Sequence, residues 1–545
     1  MLSISPNLRL QDYLRRADAR LRAGDMQGAM QVAHAAVENG AEQPNLLTLA
    51  ALWELDAGSP QRALDRAAQA RDLTPRSADA LQVHGIALAR LGRHREAIAS
   101  FDAALRQTPA VANIHYNRGI SLEELQEFTR AERDYRRTLE IEPRHTRALA
   151  QLAALAASRG HAGAAQDYAQ RALRIDPAEP AARLSLAQIE LEQGNYADAR
   201  RLAEPLAAGG KPINRSIALG LLADAFYKEG RVEQAFRHYL DSNAVLQAYY
   251  RLVFQAEGIE TAAARAKRFI EFFRSDAAAG FADCSRGEYR APVSTHVFLV
   301  GFPRSGTTLL EQVLATHSAI ETLEERDCLA AAIADFALPA EGLTRLGVQS
   351  GDALSRYRDA YWREAQLAGT KLDRPVFVDK LPLNSLLLCI VAKLFPDAKI
   401  LFALRDPRDV VFSCFRRRFR MNPQMYELLT LGGAAQYYDA IMSLAELYRK
   451  SLPLTFCSTR YEDLVNAFDR ETAAICHFLG IAPEASMAEF SDRAAERGIN
   501  TPSAAQVARG LYTEGIGQWR AYRSQLEPVL PLLAPWVSRF GYEES

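Results

Sequence analysis

Small apolar residues recur through the first half of the chain with a fixed period. Alanine stands at Ala29, Ala63, Ala97, Ala131, Ala165 and Ala199, every 34 residues. Glycine keeps the same period at Gly24, Gly58, Gly92, Gly160 and Gly194, with Gln126 at the missing place, and proline does so at Pro75, Pro109, Pro143 and Pro177. Three residue types in one phase predict pairs of antiparallel helices. Glycine opens the turn between them, alanine lets them approach, and proline ends the second helix. A further pair is predicted near 213–246, where Gly230 and Ala235 arrive two residues late. After about residue 250 the period fades; helical sequence continues over 262–275, and a connection follows over 277–292. The pattern then changes. Short apolar runs at 297–300, 376–378, 399–404 and 454–458 alternate with longer helical stretches. Runs of that kind, each leading through a turn into a helix, predict buried parallel strands with helices on both faces.

In such sheets ligands bind beyond the C-terminal ends of the strands. Arg304, Lys380, Arg405 and Tyr461 stand there, three cations and an aromatic. The stretch Gly301-Phe302-Pro303-Arg304-Ser305-Gly306-Thr307-Thr308 reads as the end of a strand, a glycine-bounded turn and a helix start. Backbone N–H groups gathered at a helix N-terminus suit a phosphate. The glycine spacing is that of a P-loop, but Thr307 stands where a nucleotidase has its lysine. A phosphorylated nucleotide is therefore expected, without ordinary ATP–magnesium chemistry. A second phosphate signature begins at Arg405. Asp406 suits an N-cap and Pro407 the first helical position, and Ser413 and Arg417 become neighbours one turn apart on that helix. Arg416 and Arg418 read as a solvated cluster.

Composition narrows the classes. The 545 residues leave room for two or more domains with their own cores. The net charge is −1, which gives no support to general nucleic-acid or membrane-surface binding. The six cysteines show no CxxC and no metal-ligand spacing, and no long uncharged apolar stretch or signal-peptide core is visible. The expectation is a cytoplasmic protein in a reducing compartment, without metal, nucleic-acid or membrane partners.

The first-half period resembles the tetratricopeptide repeat. That resemblance implies a helical solenoid over 1–250 whose concave face takes a peptide or partner protein; a scaffold that covers a domain or self-associates is the alternative. The second half resembles the sulfotransferases that use 3′-phosphoadenosine 5′-phosphosulfate (PAPS). Its 303–308 segment is similar to their 5′-phosphosulfate loop, and Arg405 with Ser413 to their 3′-phosphate motif. Within that family the tyrosylprotein sulfotransferases are the most similar. Their Glu-Glu pair matches Glu324-Glu325, their lysine Lys380, their Arg-Tyr-Glu segment Arg460-Tyr461-Glu462, and their serine, Gln-Val and tryptophan Ser503, Gln506-Val507 and Trp519. The departures are Leu323 and Asp379 in place of cysteines, Asp327 in place of an arginine, and Gln518 in place of a lysine. The implied architecture is multidomain: an all-α solenoid over 1–250, a helical connection over 251–292, and an α/β, P-loop-like parallel-sheet sulfotransferase domain over 293–545.

The resemblance implies roles. PAPS is the co-substrate and no metal is needed. Ser305, Gly306, Thr307 and Thr308 hold the 5′-phosphate, and Arg304 pairs with the phosphosulfate. Lys380 stabilises the bridging oxygen. Arg405, Ser413, Arg417 and Arg509 bind the 3′-phosphate, Tyr461 packs near the adenine, and Ser503 hydrogen-bonds the transferring group. Glu325 is the base for a hydroxyl acceptor; the other reading of Glu325 is an acidic residue at a helix N-terminus, within Glu321–Arg326. The acceptor is a protein tyrosine presented by the array, or a saccharide or small phenol. A P-loop kinase or nucleotidase, and a binding protein with a relic α/β domain, are the competing readings. Trp519 reads as core, His317 as structural, and Glu324 as the structural member of its pair.

Overall fold

The computed structural model of the protein describes residues 6–282, 284, 289–491, 510, 511, 513 and 515–543. From Met26–Glu38 to Tyr196–Gly209 the helices are 13 or 14 residues long, and a longer pair, Pro212–Lys228 and Val232–Phe254, follows. The periodic alanines from Ala29 to Ala199, with Ala235, are all buried, because only a methyl side chain fits where paired helices meet. The periodic glycines take left-handed turns with φ between 74° and 86°. Gln126, in the glycine's place, adopts the same turn at φ 60°. The turn is thus dictated by the helix pair and not by the glycine.

The chain falls into two compact units, Met1–Ala157 with His161–Ile189, and Ser158–Gly160 with Glu190–Ser545. The expectation set a boundary at 250 and a connection over 251–292; in the structure the second unit begins earlier and takes in the helices of that stretch. The physical reason is burial. Ala235 and Tyr239 of Val232–Phe254, and Phe269, Ile270 and Phe273 of the helix Ala262–Arg274, lie in one core with Phe298 and Val300 of the sheet.

That sheet has five strands, β1 (Thr295–Gly301), β2 (Ile320–Glu324), β3 (Val376–Lys380), β4 (Lys399–Leu404) and β5 (Thr455–Arg460). All neighbours are parallel, in the order β2-β3-β1-β4-β5. Successive residues of β1 feed opposite cores. Val297 and Leu299 pack with Leu309, Leu310, Val313 and Leu314 of the helix Thr307–Ala315. Phe298 and Val300 face the other core, with Val410 and Val411 of the helix Pro407–Arg416 and Tyr437 and Ile441 of Leu431–Ser451. The helices that follow β1 and β4 therefore lie on opposite faces, and a crevice opens between the C-terminal ends of these neighbouring strands. β2 is the strand the hydrophobic pattern misses. Glu321–Arg326 does not start a helix: Glu321 lies in β2, and its carboxylate accepts hydrogen bonds from the N–H groups of Lys371 and Leu372, both at 2.8 Å.

Gln126→Gly is expected to stabilise the repeat unit by about 1 kcal/mol, the cost a side chain adds in a left-handed turn less glycine's extra entropy. A urea titration that reads the repeat helices by far-ultraviolet circular dichroism checks it.

Candidate active site

The loop after β1 is built on conformations that side chains disfavour. Arg304 has φ 70° and Gly306 φ 92°. Gly306 forms the N-cap of Thr307–Ala315, and a Cβ there would lie 2.7 Å from Cδ2 of Tyr461, so the loop and the Tyr461 ring fit only around a glycine. Ser305, Thr307 and Thr308 are buried around the turn. The first N–H groups of this helix have no acceptors within it, and the helix dipole adds partial positive charge.

Lys380 ends β3 opposite Leu299 of β1 and Glu324 of β2, and its ammonium is completely buried. Nζ donates to Oε1 of Glu325 at 2.8 Å and lies 3.6 Å from Oε1 of Glu324. Glu324 is thus part of the charged cluster beside Lys380. Burial pulls the Lys380 pKa down, but Glu325, Glu324 and Glu311 together hold it above its ordinary value. Glu325 stands just past β2 with φ 44°, pinned by its N–H to the Lys380 carbonyl at 2.8 Å. Its placement at a strand end excludes the helix-N-terminus reading. Glu311 was not singled out from the sequence. Its carboxylate is buried on the helix Thr307–Ala315 and accepts from Thr322 and from Gln312, each at 2.5 Å. The visible signal was a charged residue inside the helix's apolar stripe.

Arg304 and Ser413 meet directly, Nε donating to Oγ at 3.0 Å. Arg405 donates Nη1 to the Arg304 carbonyl at 3.1 Å and Nη2 to the Gly515 carbonyl, and its guanidinium lies 5.0 Å from the Tyr461 ring centroid. Among the described residues its buried Nε has no hydrogen-bond partner, a donor free for an anion. Asp406 caps the next helix, accepting from the N–H of Arg408 at 2.9 Å. Asp409 accepts from the N–H groups of Gly517 at 2.6 Å and Trp519 at 2.9 Å, which ties the C-terminal segment to this helix. Trp519 is buried in the core beneath the Arg408 guanidinium, 4.0 Å from its ring centroid.

Three expectations change here. Arg417 is not on the helix with Ser413; it is the C-cap, in extended backbone, and Nη1 lies 3.8 Å from Oδ2 of Asp224. Arg416 and Arg418 are not solvated. Arg416 is half-buried, donates to the Gln518 side-chain carbonyl, and lies 5.6 Å from the ring centroids of Tyr227 and of Phe412. Arg418 is half-buried too, and burial draws its pKa down to about 10. Ser503, Arg509 and the Gln506-Val507 pair lie outside the described residues.

Beneath the site is a buried polar chain. His296 shares a hydrogen bond with the Tyr361 hydroxyl at 2.9 Å, and that hydroxyl donates to Oδ2 of Asp379 at 2.8 Å. Asp379 Oδ1 has no hydrogen-bond partner among the described residues. Burial raises the Asp379 pKa to about 7 and lowers that of His296 to about 3. His317, just past the helix Thr307–Ala315, is buried with Nε2 2.8 Å from the Ala482 carbonyl. Among the described residues the one cluster with metal-ligand spacing, His34, Glu38 and Glu54, lies in the repeat unit. Arg62 already lies 2.7 Å from Glu38 and 3.0 Å from Glu54.

Residues 296–485 match the family described as "Sulfotransferase family". Residues 48–112, 83–146, 116–180 and 156–212 match families described as "Tetratricopeptide repeat". A protein of Aquifex aeolicus described as uncharacterized is 25% identical over 252 residues, 44% of this chain and 32% of that protein, so the chain spans about a third of its length. A Caenorhabditis briggsae protein named "Putative protein-tyrosine sulfotransferase" is 23% identical over 264 residues, 46% of this chain and 89% of that protein. Among solved structures, a tetratricopeptide repeat protein from Parabacteroides merdae is 19% identical and covers 43% of this chain and 93% of its own, with a TM-score of 0.34, a likeness too small to decide anything.

Asp379 gives a pH prediction. Its folded pKa of about 7 exceeds the ordinary 3.8, so the folded state binds a proton that the unfolded state has lost between those values. Stability is full below about pH 4 and falls as pH rises toward 7, where both states become ionised. Asp379→Asn keeps an acceptor for Tyr361 and removes the titration. Its melting temperature is expected to exceed that of the wild type by more at pH 8 than at pH 5 in calorimetric scans.

Proposed function

We propose that this chain, which joins tetratricopeptide repeats to a sulfotransferase domain, moves a sulfuryl group from PAPS to a hydroxyl acceptor. The observation that carries the reading is the completely buried Lys380 ammonium, 2.8 Å from Glu325, at the strand end beside the phosphate-type loop. A cation and a carboxylate held together there supply what transfer to a hydroxyl needs: charge stabilisation on the leaving side and a proton acceptor on the attacking side.

In this reading Arg304 and the turn of Ser305, Gly306, Thr307 and Thr308 hold the 5′-phosphosulfate; the planar guanidinium fork suits tetrahedral oxyanions. Arg405, with its unpartnered Nε, Ser413 and Arg417 take the 3′-phosphate, Arg509 and Ser503 complete the site, and Tyr461 borders the adenine. The acceptor oxygen attacks sulfur as its proton passes to Glu325. The bond between sulfur and the bridging oxygen breaks, leaving 3′-phosphoadenosine 5′-phosphate (PAP). Protonation of Glu325 removes a counter-charge from Lys380 at the moment negative charge builds on the bridging oxygen, so the ammonium is released toward the leaving group when it is needed. No step calls on a metal.

The array's role in this reading is to hold a peptide or protein, either the acceptor or a partner that brings it. The similarity to a protein named as a protein-tyrosine sulfotransferase favours a tyrosine acceptor, whose phenol gives up a proton far more readily than an alcohol.

Glu325→Gln is expected to lower turnover by about 10²–10⁴-fold, the usual contribution of a positioned base, while PAP affinity by calorimetry stays close to that of the wild type. Equal loss of both rejects Glu325 as the base. In thermal-shift assays PAP and PAPS are expected to stabilise the wild type; stabilisation by ATP–magnesium alone would assign the site to a nucleotidase or kinase instead. Labelled PAPS incubated with tyrosine-bearing proteins, saccharides and phenols identifies the acceptor class.

A further inference from the structure

The three arginines at and just past the C-terminal end of the helix Pro407–Arg416 are short of counter-charge. Arg416 Nε, Arg417 Nε and Arg418 Nη1 are buried without hydrogen-bond partners among the described residues. Among the described residues, one carboxylate serves them. Asp224, on the helix Pro212–Lys228, lies 3.8 Å from Arg417 and supports the charged forms of Arg416 and Arg418. It is fixed from the other side by the Tyr239 hydroxyl, which donates to Oδ1 at 2.6 Å. Three half-buried guanidiniums against one carboxylate leave an excess of positive charge, an arrangement that further anionic charge stabilises.

The Arg417 contact is itself loose. At 3.8 Å it is an ion pair without a hydrogen bond. Arg417 also borders the donor site: its N–H donates to the carbonyl of Ser413 at 3.2 Å, and the Ser413 hydroxyl takes the Nε of Arg304. We propose that Asp224 is a built-in counter-ion that holds Arg417 until the 3′-phosphate of the donor replaces it, and that it thereby sets how strongly the site prefers 3′-phosphorylated over unphosphorylated adenosine nucleotides. This rests on the donor reading given above. Asp224 touches no substrate; it acts through Arg417 and is a positioning residue.

The test compares two nucleotides on the full chain by calorimetry. PAP carries the 3′-phosphate, and adenosine 5′-phosphosulfate lacks it. Asp224→Asn keeps the acceptor for Tyr239 and removes the competing charge. Its expected effect is PAP binding tighter by about tenfold, the scale of one unit charge acting across a few ångströms of protein. Affinity for adenosine 5′-phosphosulfate is expected to stay within about twofold, because that ligand has nothing to gain from a freed Arg417. Asp224→Glu, which retains the charge, is expected to bind PAP within about threefold of the wild type, and this separates charge from packing. A global packing defect would move both ligands together; only loss of the counter-ion moves PAP alone. PAP binding by Asp224→Asn that is unchanged or weaker, in a wild type that binds PAP, overturns this inference alone. A wild type that binds no PAP overturns the donor reading and this inference with it.

Discussion

The site depends on a buried positive charge. Placing an ammonium in a protein interior costs several kcal/mol even after relaxation, and good geometry with more than one partner is needed to offset it. Lys380 meets that cost with three carboxylates from two segments. Glu311 comes from the helix after β1, Glu324 from the end of β2, and Glu325 from the residue beyond it. Two of them are fixed further: Glu311 by Thr322 and Gln312, Glu325 by its backbone bond to Lys380. The cluster therefore locks β1, β2 and β3 into register at their C-terminal ends. An apolar residue at 380 would leave acids gathered with no cation between them. On the proposed donor reading, that cation faces incoming negative charge.

Backbone strain falls in the same place. Four non-glycine residues among those described have positive φ: Gln126, Arg304, Glu325 and Leu372. Gln126 sits in a helix-pair turn. Leu372 lies where Glu321 gathers the chain into β3. The other two carry the charges on either side of the proposed transfer. Each costs about 1–3 kcal/mol to hold, and neither position has a side chain suited to that conformation. Such strain persists when the surroundings over-determine it, and here they do: the Arg304 carbonyl accepts from Arg405, its Nε donates to Ser413, and the N–H of Glu325 binds Lys380. Strain at Arg304 and Glu325 is what would aim both side chains into one crevice.

What the sequence disclosed follows from how local each signal is. The repeats were legible because every helix pair carries its own turn and packing residues, and even Gln126 could be placed by phase alone. The strands β1, β3 and β4 were legible because both faces of a central parallel strand are buried, which leaves a continuous apolar run, and β5, at one edge, was legible from Leu454, Phe456 and Cys457 at its start. β2 was not. It is an edge strand that carries Glu321 and Glu324, and its period-two alternation is too short to outweigh two acids that look like a helix start. The positions of Arg304, Lys380 and Arg405 at the loop and strand ends were legible because the apolar runs and the motif spacing put them there. The burial of Arg416 and Arg418 could not be found that way. A run of three arginines has the composition of a solvated face, and only tertiary packing, of Arg416 against Tyr227 and Phe412 and of Arg418 beside Gly220, reverses it.

The unit boundary shows the same physics at larger scale. The pair Pro212–Lys228 and Val232–Phe254 has the glycine, the alanine and the spacing of a repeat, yet it packs with the sheet. Its second helix is 23 residues long, well beyond the 14 of its predecessors. Asn243 on that helix donates to the carbonyl of Phe415 at 2.8 Å, and Leu246 packs against Tyr426 and Leu429. These contacts hold the end of the helix Pro407–Arg416 and the segment that follows it, which together bear all three arginines. A free loop with three adjacent guanidiniums would spread into water, where each charge is best solvated. Held against a helix pair that offers one carboxylate, it keeps its charge within reach of Ser413. A repeat-like pair thus walls in the three arginines, and on the proposed donor reading substitutions on its inner face act on nucleotide binding before they act on any ligand of the array.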